Sequence, residues 1–349
     1  MIIKDKTETT EDIKQKAEIS DIVISDVNTS LWGYIKKRYK WYFPLSIAGT
    51  ILWEIGFAFI LSYINNSSAI LDLVYFVPFI LIYSFYINLR IKFRRAFLEE
   101  FAISNNYSFS PTGEVDESFS SIFRIPNSSH NVSSLITGTY GGAELRMFIC
   151  NTEVGTGKSQ SNVTFTVLEL VLEGKLPGLL LVHNGGINAE SISTSRWIKK
   201  GSGLTNKISL EGDFDKDFTL YSQPNAQIHA LEVFTPDLMA ILQDNSREHD
   251  IEFAGNRIYI YTARFITKTG DLNNIFNIAK ALIKKVQPVS ARLSRDATIL
   301  STSKKLSPGN SSIGRKLDLK MLLYFIIYSS IAICIAAAIG MIAVIVSSK

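Results

Sequence analysis

An α+β domain with a mostly antiparallel sheet, carried with three transmembrane α-helices, is the fold class this sequence predicts. Three observations carry that expectation. Hydrophobic residues make up 46% of the 349 residues, and the excess is concentrated near residues 41–89 and 321–347. Between these blocks lie alternating apolar runs broken by tight turn signals, the pattern of hairpin-linked strands. Two stretches of helical periodicity are interleaved with the later runs, so the order reads ββ–αββα, which is α+β.

The first 40 residues read as a cytoplasmic tail. Acidic residues come early (Asp5, Glu8, Glu11, Asp12), unlike the basic start of a signal peptide. Lys36, Lys37, Arg38 and Lys40 then precede a block of apolar sequence. An apolar run of about 20 residues spans a hydrocarbon core of about 30 Å, and residues 42–64 and 71–87 read as two such spans. Asn65, Asn66, Ser67 and Ser68 form the turn between them. Basic clusters flank the outer ends of this hairpin, at residues 36–40 and 90–95, which places both ends in the cytoplasm by the positive-inside rule. Residues 321–346 read as a third span, preceded by Arg315, Lys316 and Lys320. Ala332, Ala336 and Gly340 recur every four residues there, a small-residue face suited to helix packing or self-association. The expected organisation is therefore a tail (1–40), a helical hairpin (41–89), a cytoplasmic α+β domain (90–287, with halves at about 105–183 and 207–287), a linker (288–318) and a last helix (319–347). The expected location is a bacterial inner membrane, multi-pass, with the main domain cytoplasmic and the lipid bilayer as a partner.

Within the domain, Phe93, Phe97 and Phe101 fall at i, i+4 and i+8, which predicts an amphipathic helix ended by Asn105 and Asn106. Residues 132–140 and 143–151 read as strands joined by Gly141 and Gly142. Residues 163–172 and 179–183 read as two further strands, and residues 184–206 as a long loop. Thr235, Pro236 and Asp237 start a helix as N-cap, first-turn proline and dipole-matched acid. Gly255 and Asn256 predict a tight hairpin, with Ile258 and Ile260 on one face and Tyr259 and Tyr261 on the other. Residues 272–286 read as a final helix ended by Pro288.

Charge and composition exclude several function classes. A net charge of +4 is too small to indicate nucleic acid, and much of the basic excess lies beside the apolar blocks. The two cysteines, Cys150 and Cys334, and four histidines (His130, His183, His229, His249) are dispersed, without metal-ligand spacing. The expectation is no cofactor, no metal and no assigned catalytic residue.

Five features resemble sites, and the first two fail on their context. Gly155-Thr156-Gly157-Lys158-Ser159 looks like a phosphate loop, but position 152 is Thr and a strand follows where a helix is needed. Asp213-Phe214-Asp215-Lys216-Asp217 looks like the start of a calcium loop, but its sixth and twelfth positions are Phe218 and Pro224 rather than Gly and Glu. His183, followed by Asn184-Gly185-Gly186, is the best-placed loop histidine for a Ser–His pairing, and more simply is an exposed imidazole. Glu54, alone in an apolar run, reads as a proton-relay acid or as a protonated, helix-buried group. Tyr221, Tyr259 and Tyr261 read as a sheet face covered by a helix, or as a ligand-facing stripe.

Four segments (residues 163–181, 210–222, 230–242 and 251–263) together with the two-span hairpin resemble an uncharacterised family of bacterial membrane proteins, known as a domain of unknown function. The resemblance covers about residues 90–287. It implies a membrane-tethered α+β domain and brings no catalytic residues. The function expected is a membrane-anchored cytoplasmic binding or scaffold module that presents a sheet surface to a protein partner. The alternatives are a tethered hydrolase using His183 with a distant Ser or acid, and a small transport component built on Glu54.

Overall fold

A computed structural model describes residues 31–38, 44, 47–49, 51–53, 55–57, 77–155, 160–184, 189–210, 212–224, 226–246 and 248–295. The chain divides into two compact units, one made of residues 1–33 and 91–311 and the other of residues 34–90 and 312–349. In the second unit the described residues are helical. They include α1 (Leu31–Arg38), which starts in the first unit, and the first half of α2 (Val77–Ser104).

No helix among the described residues is long and apolar enough to cross a membrane. This corrects the expected three transmembrane helices, and with them the multi-pass inner-membrane location. The reason is plain in α2. Its apolar stretch, from Val77 to Ile87, is roughly half of the ~20 residues that a span needs. Beyond it the same helix carries Asn88, Arg90, Lys92, Arg94, Arg95, Glu99 and Glu100. Glu54 lies outside the described residues, as does most of the expected first span. The expected third span, with Ala332, Ala336 and Gly340, lies wholly outside them.

The first unit is built on one antiparallel sheet. Its strands are β1 (Ser108–Thr112), β2 (Ser128–Tyr140), β3 (Ala143–Val154), β4 (Ser161–His183), β5 (Asn206–Ile208), β6 (Phe218–Ser222) and β7 (His249–Thr262). Neighbours run β1-β2-β3-β4-β6-β5, with β7 also against β4. The β2–β3 turn is the expected two-residue hairpin. Gly141 and Gly142 have φ of 56° and 81°, the two positive values that a type I′ turn requires.

The long strands β4 and β7 are each doubled back. A straight 14-residue strand would hold its ends about 40 Å apart, yet His249 Nδ1 lies 2.8 Å from Thr262 Oγ1. β7 therefore folds at Gly255-Asn256, where Gly255 has φ 65° and Asn256 has no positive φ, as in a type II′ turn. The expected hairpin is present. β4 embraces it: Thr166 and Val171 sit opposite Thr262 and Arg257, whereas Leu179 and Leu181 sit opposite Phe253 and Ile251. Residues 172–176 cross the hairpin tip, and Asn256 Nδ2 donates to the Leu172 carbonyl at 3.4 Å. So the two strands read at 163–172 and 179–183 are arms of one continuous element.

Helices cover both faces of this sheet. The second half of α2, α5 (Gln227–Val233), α6 (Pro236–Asn245) and α7 (Thr269–Arg295) pack on one face, around Phe101, Leu168, Leu181, Phe253, Ile258, Ile260, Phe276 and Leu282. Phe93, Phe97 and Phe101 are buried as their spacing implies. The Thr235 side chain accepts from the Leu238 N–H, capping α6. On the other face lie a 3₁₀ turn (Ser121–Arg124) and α3 (Ala189–Ser202), over Phe148, Phe165, Leu180, Tyr259 and Tyr261. The expected loop at 184–206 thus contains a helix. The final helix also runs past Pro288 to Arg295. Proline removes one helical N–H, but the far end is held by the β4 crossing. Lys175 N donates to Ser294 Oγ at 2.7 Å, and a Cβ on Gly174 would meet the Ser290 carbonyl at 2.3 Å.

Candidate functional site

The β4 and β7 arms set three acids on the face beneath α3 and the 3₁₀ turn. Glu169 is opposite Tyr259 in the ladder. The two-residue turn of β7 makes Glu252 the neighbour of Tyr259 on its other side, and Asp250 the neighbour of Tyr261. All three acids are buried, Glu169 to 1% exposure and Glu252 to 2%. The alternation in residues 251–263 marks this as the polar-edged face of the hairpin. Nothing in that local pattern signals that a helix from the Ser-rich stretch closes over it.

Each acid is matched by donors. Glu252 accepts from the Ser121 N–H at 2.9 Å and from Arg124 Nη2 at 3.1 Å. It also accepts from the Ser121 and Tyr261 hydroxyls. Four donors fill the four lone-pair sites of a carboxylate. Tyr261 Oη lies 2.9 Å from Ser120 Oγ as well. Glu169 accepts from Arg257 Nη1 and from Tyr259 Oη at 3.3 Å. Arg257 reaches on to Asp116 at 3.1 Å and lies 4.9 Å from the Phe119 ring centroid. Burial pushes the Glu169 carboxyl up, against the opposing pull of Arg257. Burial also raises both tyrosines, with the Glu169 charge adding to it at Tyr259 and the Glu252 charge at Tyr261. The phenols therefore stay protonated and act as donors. A general base needs a lone pair within reach of substrate, and Glu252 has none open.

The third acid bears on the hydrolase alternative. Ser195, on α3, donates to Asp250 Oδ2 at 2.6 Å, and the His183 backbone N–H donates to Oδ1 at 2.9 Å. Structure thus brings His183, a serine and an acid into one neighbourhood, as that alternative requires. The wiring is not that of a nucleophile, which needs its hydroxyl on an imidazole and the imidazole on an acid. Here the hydroxyl is on the acid. The His183 ring packs 5.3 Å from the Phe218 ring, whose side chain belongs to the opposite core. Imidazole and Ser195 are on different faces of the sheet. Burial pushes the Asp250 carboxyl up to about 6, partly offset by Ser195 and the His183 N–H.

Tyr259 and Tyr261 are buried and stacked, with centroids 6.1 Å apart, so they form a covered face and not a ligand-facing stripe. Tyr221 is partly buried against the same cluster. The Asp213–Asp217 stretch is a single helical turn, α4 (Phe214–Asp217), with Phe214 buried. Asp213 pairs with Lys216 at 2.7 Å, and Asp215 accepts from the Leu210 N–H at 3.0 Å and from Ser209 Oγ. Residues 156–159 of the apparent phosphate loop lie outside the described residues. Cys150 is buried, which pushes its thiol up to about 12. Among the described residues no group of three or more His, Cys, Asp and Glu side chains is placed to hold a metal ion.

No protein-family model, curated protein or solved structure matches the chain.

Proposed function

We propose that the α+β unit is a protein-binding module whose contact is the outer face of α5. One observation carries this reading. Ile228 is 72% exposed and Leu231 is 48% exposed, one helical turn apart and so side by side. The inner face of the same seven-residue helix is fixed to the core by Ala230 and Val233. Among the described residues of this unit the other large apolar side chains that stand exposed, Ile91 and Ile103, are three turns apart on α2 and form no patch with each other. A short, well-anchored helix that holds two aliphatic side chains into water suits recognition, because the chain is already ordered before a partner arrives.

The buried acids support binding over catalysis. Their hydrogen bonds are spent holding the 3₁₀ turn and α3 to the sheet. The test is co-purification from the native cell with full-length chain. Ile228→Asp with Leu231→Asp leaves the melting transition in place, because neither side chain is buried, and removes the proteins that accompany wild type. The paired change His183→Ala and Ser195→Ala leaves those proteins bound. Retention of the same proteins by the α5 double variant would refute this reading.

A further inference from the structure

We infer that the outer edge of β5, beneath the last turns of α3, is a docking site for an extended peptide with alternating acidic and apolar residues. The site lies on a different side of the sheet from α5, so this inference stands or falls independently of the proposed function.

Elsewhere in the unit Arg124, Arg146, Arg257, Arg264, Lys216, Lys285 and Arg292 each have a carboxylate partner, while Arg95, Lys175, Lys268 and Lys284 are exposed and in no salt bridge among the described residues. Arg196, Lys199 and Lys200 on α3 and Lys207 on β5 are exposed, and among the described residues none is in a salt bridge. They are also gathered. Arg196, Lys199 and Lys200 follow at i, i+3 and i+4, hence on one helix face. Lys207 is opposite Tyr221 in the ladder, and Lys199 Nζ sits 4.2 Å from the centroid of that same Tyr221 ring. Lys200 Nζ sits 5.2 Å from the Trp197 ring centroid. The rings hold two ammonium groups in place, so less side-chain freedom is lost when an anion binds.

Among the described residues β5 pairs only with β6, which leaves its other edge open to strand addition. Side chains of an added strand alternate between the two faces. Those pointing the way of Lys207 meet Lys207 and Lys199, which select for carboxylates. Those pointing the other way extend the core at the buried Ile208, which selects for apolar residues. Lysines in a last helical turn complement the dipole, and a lysine on an edge strand deters pairing with basic or apolar strands. That same lysine admits an acidic one.

These features favour a peptide over a nucleic acid. A single strand of RNA needs open ring faces for its bases to stack on, and here lysines lie over both rings. An open strand edge offers main-chain groups that a peptide can match along its length.

The test is fluorescence anisotropy with the full-length chain and a labelled decapeptide of alternating Glu and Val. Saturable binding is expected, weakened about tenfold by Lys199→Glu with Lys207→Glu and weakened again at high salt. A second measurement needs no variant: the same peptide with every backbone amide N-methylated has no N–H to donate to a strand edge and should not bind. A single-stranded RNA decamer should not compete. Absence of saturable binding, equal binding of the N-methylated peptide, or displacement by the RNA would each overturn the proposal.

Discussion

Replacing Asp250 by Asn isolates the buried acid that ties α3 to the sheet, and its effect has a definite dependence on pH. In the folded chain the Asp250 carboxyl is pushed from the usual 3.8 up to about 6, chiefly by burial. Below pH 3.8 the group is protonated whether the chain is folded or not. Between 3.8 and 6 the folded chain holds a proton that the unfolded chain has released, so stability falls as pH rises. Above 6 the whole penalty is present, about 3 kcal/mol at 1.36 kcal/mol per pH unit. Asparagine keeps an oxygen for the His183 N–H and an amide for Ser195, and does not titrate. Urea unfolding of variant and wild type at constant ionic strength, from pH 3.5 to 7.5, gives the difference directly. His130 and His249 are present in both proteins and cancel. The stability of the variant relative to wild type should climb by about 2–3 kcal/mol across this range. A flat difference would mean that Ser195 and the His183 N–H fully offset the burial penalty on the carboxylate, and one that falls with pH that they exceed it; either would refute the reasoning.

Other predictions follow from the same architecture. Arg257→Ala leaves Glu169 buried without its cation and should cost about 3–5 kcal/mol by urea unfolding, with much of that recovered when Glu169→Gln is added. A Cβ at Gly201 would lie 2.0 Å from the Ser121 carbonyl; Gly201→Ala should therefore push α3 off the 3₁₀ turn, costing about 1–3 kcal/mol and raising amide exchange at Ser121 and Ile122. His249 is held down to about 4, first by burial and then by the Arg264 charge. A depressed histidine loses its stabilising contribution as pH falls from the usual 6.5 through 4, so His249→Gln should flatten the acid side of the stability profile, and an unchanged acid side would contradict that.

How much of this was legible in the sequence follows physical locality. The Gly141-Gly142 and Gly255-Asn256 turns, the Thr235 cap and the phenylalanine stripe of α2 depend on neighbours within a few residues. Each is where its local chemistry places it. The alternation of Ile258 and Ile260 against Tyr259 and Tyr261 also put those side chains on the correct faces. Local pattern could not say what covers the tyrosine face. The cover is α3, whose sequence, Ala-Glu-Ser-Ile-Ser-Thr-Ser-Arg-Trp-Ile-Lys-Lys-Gly-Ser, is rich in serine and β-branched residues that favour other conformations. It is helical because Ile198 is buried, Ser195 reaches Asp250 and Gly201 meets the 3₁₀ turn, all contacts distant in sequence. The same gap hid the candidate site. Glu169, Glu252 and Asp250 look like solvated positions on alternating strands until α3 and the 3₁₀ turn close over them. The apolar blocks misled for a related reason. Hydropathy marks where apolar residues are concentrated but not where a helix begins, and α2 carries its charged half into the domain.

The claim that the α+β unit works by binding through α5 is tested most directly by a photo-crosslinking amino acid placed at position 228 in the full-length chain in its native cell. The account predicts a discrete covalent adduct with one protein partner that disappears when Leu231→Asp is added. The same probe at Ala240, exposed on α6, should give no such adduct. An identical pattern from both positions, or an adduct at 228 that survives Leu231→Asp, would contradict it.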